Sequence, residues 1–220
     1  MRRAAIAALS IWVSLAVPIT AFAAPPTDTP ISGGQALRLL LEGNNRFAQG
    51  KPLHPNQDAT RRTALAAGQH PVAAVLSCSD SRVPPTVVFD QGLGDLFVVR
   101  VAGNTADALG RASLDYAVKH LGARLIVVLG HERCGAVAAA IKEYASGDPG
   151  PMLRPIRPAV TLAKHGHGDT LSNAIDENVK LVVEGLKRSP EFAAMVKDGE
   201  LKIVGARYDF QTGRVRVLNW

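Results

Sequence analysis

"ARLIVVLGHERCGA", residues 123–136, passes from an aliphatic string into a polar one at Gly130. The stretch Leu125–Leu129 is wholly aliphatic and rich in β-branched residues, and it is too short to be a helix. Such a run predicts a strand covered on both faces, as in a parallel sheet. "VAAVLS" (72–77) and "DLFVVRVAG" (95–103) have the same character. Between the strands at 95–103 and 123–130 lies a helical pattern in which Leu109, Ala112, Leu114, Ala117, Val118 and Leu121 suit packing on the sheet. Helices are also predicted over "SGGQALRLLLEGNNRFAQG" (32–50), "RRTALAAGQHP" (61–71), the small-residue segment after Cys134, and "SNAIDENVKLVVEGLKRSP" (172–190). The proline-bearing stretch 147–168 reads as loop plus broken helix, and 201–218 as two strands around a Gln211–Gly213 turn. Strands alternating with helices define an α/β fold: one domain, a mainly parallel central sheet, flanking helices and an antiparallel edge strand at the C-terminus.

The 220 residues are 47% hydrophobic and 20% charged, enough for one domain with a core that needs no disulfide staple. The net charge of +6 is scattered, without basic runs or interleaved aromatics, so nucleic acid is not an implied partner. Residues 1–23 read as a cleavable signal peptide: Arg2 and Arg3, an apolar stretch from Ala4 to Val17, then Ala21-Phe22-Ala23. Pro18 interrupts an apolar run already short for a spanning helix, so no stable membrane anchor is expected after removal. Residues 24–32 form a linker and 33–220 the domain. The expected location is exported, periplasmic where the source has an outer membrane.

Only two cysteines are present, Cys78 in "SCSDSRV" and Cys134 in "GHERCGA". In an oxidising compartment the default is a disulfide between them. Their neighbours point elsewhere. Cys78 directly follows one predicted strand, and His131 follows another after Gly130. Strand carboxyl ends are where open α/β sheets bind ligands. His131 and Cys134, three apart, would share one face of a first helical turn. One imidazole and two thiolates suit zinc, and three protein ligands leave a fourth position open. The pattern favours a metal over a disulfide or a free cysteine nucleophile. Ser79 and Ser81 have no base at triad-like range, and "DQGLGD" lacks the glycines and helix of a dinucleotide loop. His165 and His167 in "KHGHGD" read as a surface loop.

Together "CSDSRV", "GHERCGA", "FDQGLGDLFVVRVAGN", "EGNNRF" and "GQHP" resemble the β-class carbonic anhydrases in order and spacing, over most of residues 33–217. The resemblance implies Zn²⁺ on Cys78, His131 and Cys134, and reversible hydration of carbon dioxide to bicarbonate and a proton by a zinc-bound hydroxide. It implies Asp80 and Arg82 as a catalytic dyad controlling the open zinc position, with Asp80 the fourth ligand in a closed state. It assigns substrate-side places to Gln69, Phe97 and Tyr116, Gln69 reaching across a dimer, and implies a homodimer or dimer of dimers.

Some members carry a tryptophan three residues before the first cysteine; here Val75 stands there, although Arg100 and Tyr208 match the other two residues of that trio. Glu132 replaces a usual small polar residue, and its carboxylate is expected to face solvent or the partner subunit. Two rival functions use the same residues: hydrolysis of carbon disulfide or carbonyl sulfide, and a non-catalytic exported module closed by a Cys78–Cys134 disulfide.

Overall fold

A computed structural model describes residues 31–145 and 150–220. The predicted signal peptide and residues 24–30 of the linker lie outside the described residues, as do 147–149 of the proline-bearing stretch. In chain order the elements are α1 (Gly33–Ala48), α2 (Ala59–Ala64), β1 (Ala73–Ser77), α3 (Pro85–Val88), β2 (Leu96–Arg100), α4 (Ala108–Lys119) and β3 (Leu125–His131). There follow α5 (Gly135–Lys142), α6 (Gly150–Leu153), α7 (Arg157–Lys164), α8 (Thr170–Arg188), α9 (Ala193–Lys197), β4 (Lys202–Tyr208) and β5 (Val215–Val217).

Local chemistry sets the helix starts. Ser32 and Gln35 make a reciprocal capping box at α1, Gln35 N–H donating to Ser32 Oγ while Ser32 N–H donates to Gln35 Oε1. Asp107 caps α4 and Asp169 caps α8, each accepting from a backbone N–H three residues on. The Asp169 cap starts α8 two residues before the predicted 172. Two single-turn helices, α3 and α9, escape the periodicity because four or five residues do not complete an apolar stripe.

The strands order β2-β1-β3-β4-β5, parallel throughout except β5, which pairs antiparallel with β4. Every residue of β1 and β3 is buried. Alternation divides them between two cores. Ala74, Leu76, Ile126 and Val128 meet α4 and α8, whereas Ala73, Val75, Leu125, Val127 and Leu129 meet Leu40 of α1 and Phe89. A third apolar cluster lies beyond the carboxyl ends of β1 and β3, where Val137, Ile156, Val160 and Ile175 surround Cys78 and Cys134.

One packing expectation needs correction. Leu109 is 79% exposed and Ala112 is exposed, while Leu114, Ala117 and Val118 carry the contact of α4 with the sheet. With Tyr116, 48% exposed, Leu109 and Ala112 form an apolar strip on the outer side of α4. Glu132, expected to face solvent or the partner subunit, keeps 26% of its side chain exposed and is also held within the chain: Oε2 accepts from the Phe210 N–H at 3.3 Å and Oε1 lies 3.9 Å from Arg207 Nη2. The Arg207 side chain is only 14% exposed, and a guanidinium so placed needs counter-charges, which Glu132 and Asp176 supply.

Candidate metal centre

The strand order builds the site. β1 and β3 are neighbours with Ser77 opposite Leu129, so Cys78 and His131 leave the sheet side by side. His131 is still strand, hydrogen-bonded on to β4, and Cys134 is the N-cap of α5. The expected shared helical turn is therefore absent. A turn at Glu132–Arg133, with Arg133 in the left-handed region at φ 49°, brings Cys134 back toward Cys78. Gly130 serves packing rather than bending: a Cβ there would sit 2.5 Å from Val179 Cγ2 on α8.

Cys78, His131 and Cys134 are buried, and one potential ligand atom from each lies within 4.8 Å of the others. Both cysteines are free, their Sγ atoms 4.0 Å apart, about twice the length of a disulfide bond. The disulfide-closed module is thereby corrected. A tetrahedral zinc with sulfurs at about 2.3 Å holds them about 3.8 Å apart, so the spacing fits the ion. The Nδ1 of His131 pairs with the Glu132 carbonyl at 2.8 Å, and its buried Nε2 has no hydrogen-bond partner. With Nδ1 donating to the carbonyl, the Nε2 lone pair is free for a metal.

The two thiols are coupled through their contact. The contact with Cys134, against the opposing effect of burial, lowers the Cys78 thiol below the ordinary thiol range. His131 and the backbone N–H of Gly103 add to this, the latter 3.3 Å from Cys78 Sγ. The same contact pushes Cys134 well above the ordinary thiol range, because ionising both sulfurs at this distance needs a cation between them. A divalent ion is such a cation.

Asp80 stands beside this set, Oδ2 3.8 Å from His131 Nε2. Arg82 grips it with Nε at 2.9 Å to Oδ1, Nη2 at 2.7 Å to Oδ2 and a backbone N–H at 3.0 Å to Oδ1. That grip holds the Asp80 carboxyl far below the usual range. Arg82 lies over the Phe210 ring, 4.3 Å from its centroid, and the same ring meets His131 at 5.6 Å. Arg100 steadies the loop by donating Nε to the Cys78 carbonyl at 3.0 Å.

Gln69, Phe97 and Tyr116 lie elsewhere. Phe97 pairs in register with Ala74, about 13 Å up the sheet from Cys78. Its ring contacts Tyr116 at 6.2 Å, and Gln69 is exposed beyond α2. His165 and His167 are exposed, and among the described residues no second metal-ligating cluster occurs. Gly103, Asn178 and Phe210 also surround the metal set, and no motif in the sequence singles them out. A polar residue inside the apolar stripe Ile175–Val179–Val183 was the available signal for Asn178.

Comparison with known proteins agrees with the site. A family model described as carbonic anhydrase matches residues 73–215. Carbonic anhydrase 2 of Mycobacterium tuberculosis is 41% identical over 198 residues, covering 86% of this chain and 93% of its own. The carbonic anhydrase of Mycolicibacterium smegmatis is 38% identical over 198 residues, covering 87% and 95%. Among solved structures, the Coccomyxa β-carbonic anhydrase in complex with acetazolamide superposes with a TM-score of 0.65 at 31% identity, covering 83% of this chain and 86% of its own. One of two tetrameric β-carbonic anhydrases from Sordaria macrospora gives 0.64 at 26% identity, covering 84% and 98%. The chain belongs to the β-class carbonic anhydrase family and is an enzyme, with a Cys–His–Cys set that fits a metal.

Proposed function

We propose that this chain hydrates carbon dioxide reversibly to bicarbonate and a proton at a zinc ion held by Cys78, His131 and Cys134. The observation carrying the proposal is the buried triangle of two sulfurs and a free imidazole Nε2, with an ionised carboxylate 3.8 Å from that nitrogen. Zinc supplies the acidification of water that yields a nucleophile near neutral pH, an effect blunted by two thiolate charges.

The residues do the rest. Gly103 N–H and Glu132 C=O fix the lone pairs of Cys78 and His131. The apolar cluster around Val137, Ile156 and Val160 keeps the metal pocket dry and suits an uncharged linear substrate. Asp80, kept ionised by Arg82, accepts a hydrogen bond from the attacking water and orients it. Released from Arg82, the same carboxylate is close enough to close the open position. Buffer carries away the product proton.

Gln69, Phe97 and Tyr116 act on a partner's site, within a homodimer or dimer of dimers. Their distance from the metal set and the exposed strip of Leu109, Ala112 and Tyr116 support this. Residues 1–23 direct export, supported by the charged start and the small-residue cleavage pattern. Among the described residues no helix is long and apolar enough to cross a membrane.

Stopped-flow hydration over roughly pH 6.5 to 9.5, with zinc measured on the same sample, tests the function. About one zinc per chain and a rate rising with pH are expected. Full zinc with no hydration at any pH overturns the catalytic assignment.

A further inference from the structure

The loop that donates to Cys78 is itself held by a residue on a distant helix. After β2 the chain turns at Val101–Asn104, closed by Asn104 N–H donating to Val101 C=O at 2.8 Å. Gly103 sits in this turn at φ 73°, in the left-handed region. A Cβ on Gly103 would lie 2.6 Å from Ile156 Cδ1 and 3.3 Å from Ala136 Cβ, so its backbone is pressed into the metal pocket. Its N–H points at Cys78 Sγ, and its carbonyl accepts from Asn178 Nδ2 at 2.7 Å.

Asn178 is 2% exposed and stands among the apolar residues of α8. A buried amide in that stripe is costly unless its position is used, and its side chain donates to the Gly103 carbonyl, 75 positions away. The next residue, Val179, presses on Gly130, the residue before His131. One turn of α8 therefore touches the turn that donates to Cys78, by a hydrogen bond, and the strand that carries His131, by packing.

We infer that Asn178 is a positioning residue for the metal ligand Cys78: it locks the Gly103 turn so that the Gly103 N–H is aimed at the ligand sulfur. Without the Asn178 donor the Gly103 carbonyl loses its buried partner, the turn is free to rotate, and the N–H leaves the sulfur. The inference rests on the zinc reading of the site. Hydrogen bonds to a ligand, once removed, weaken metal binding by about 10- to 100-fold.

The test compares full-chain wild type with Asn178→Leu, similar in size but without a donor, and with Val183→Ala. Val183 is a buried core residue of the same helix, so its truncation loosens α8 without touching the turn. Zinc affinity is read by competition with a chromogenic chelator. Separately, the sulfur-to-metal charge-transfer band is recorded on cobalt-substituted protein. The expected result is a loss of about 10- to 100-fold in zinc affinity and a displaced band in Asn178→Leu, with Val183→Ala unchanged in both. Should Asn178→Leu fail to fold, Asn178→Ser is read against the same control, with a smaller loss in the same direction. A folded variant with affinity within about twofold of wild type and an unmoved band overturns the inference, as does an equal loss in Val183→Ala. A wild type that binds neither metal overturns the zinc reading itself, and the positioning role with it.

Discussion

Replacing Gly130 with alanine places a methyl group where the structure leaves no room. The new Cβ would lie 2.5 Å from Val179 Cγ2 and 3.6 Å from Ile175 Cγ2, the first far inside van der Waals contact and the second comfortable. Val179 is fully buried, and a β-branched side chain on a helix has essentially one rotamer, so it cannot swing aside. Either α8 lifts from the sheet or β3 bows, and His131 is the next residue. Overpacking of this kind costs about 2 kcal/mol, which for a domain of this size lowers Tm by about 4 to 8 °C. Val179→Ala alone also costs about 2 kcal/mol, from lost burial and the cavity left behind. In the double variant the clashing methyl is gone and the new one fills part of the cavity. The two costs therefore do not add: about 2 kcal/mol in total is expected instead of about 4. Urea melts of the four proteins measure this, with zinc affinity reporting whether His131 has moved. A Gly130→Ala protein as stable as wild type, or a double variant with strictly additive losses, would refute the packing argument.

Arg82→Gln frees Asp80 from its bidentate partner, so hydration should fall on the order of 100-fold while zinc content stays at the wild-type level. Undiminished activity would remove Arg82 from the mechanism. Denatured, chelator-treated protein should titrate two free thiols per chain; none would restore the disulfide. Asp90 gives a prediction about acid. Burial alone would raise its carboxyl, but N–H groups of Leu53 and His54 and the Arg46 guanidinium outweigh that and hold it below its ordinary value. A folded-state value below the unfolded one, about 3.9, contributes stability that is complete above the latter and lost as pH falls through the former. Asp90→Asn should lower Tm at neutral pH and flatten the acid side of the stability curve, read by thermal melts from about pH 3 to 7. An unchanged acid slope would assign that slope to other carboxylates.

Much of this was legible because it depends on local pattern. The aliphatic runs at 73–77 and 125–129 can satisfy their backbone and bury both faces only inside a sheet, and their spacing by helices forces parallel pairing. Asp80 and Arg82 are two residues apart, so their pairing needs only a turn. Periodicity marks Leu109 as part of an apolar face without saying whether the sheet covers that face, and the sheet does not. The pairing of Glu132 with Arg207 is not legible in the sequence because Arg207 comes from β4, far along the chain.

By itself the sequence determined the class of fold and the chemical inventory of the site: two thiols, an imidazole and a carboxylate–guanidinium pair at strand ends. Tertiary structure alone decided that these groups meet. Cys78 and Cys134 are 56 positions apart, and they face each other because β1 lies beside β3 and an unusual left-handed residue turns the chain at Arg133. The same holds for what surrounds the ligands. No periodicity marks Gly103 as the donor to Cys78, Asn178 as its anchor or Phe210 as the ring between Arg82 and His131. Those roles arise from contacts between segments that only the folded packing brings within a few ångströms.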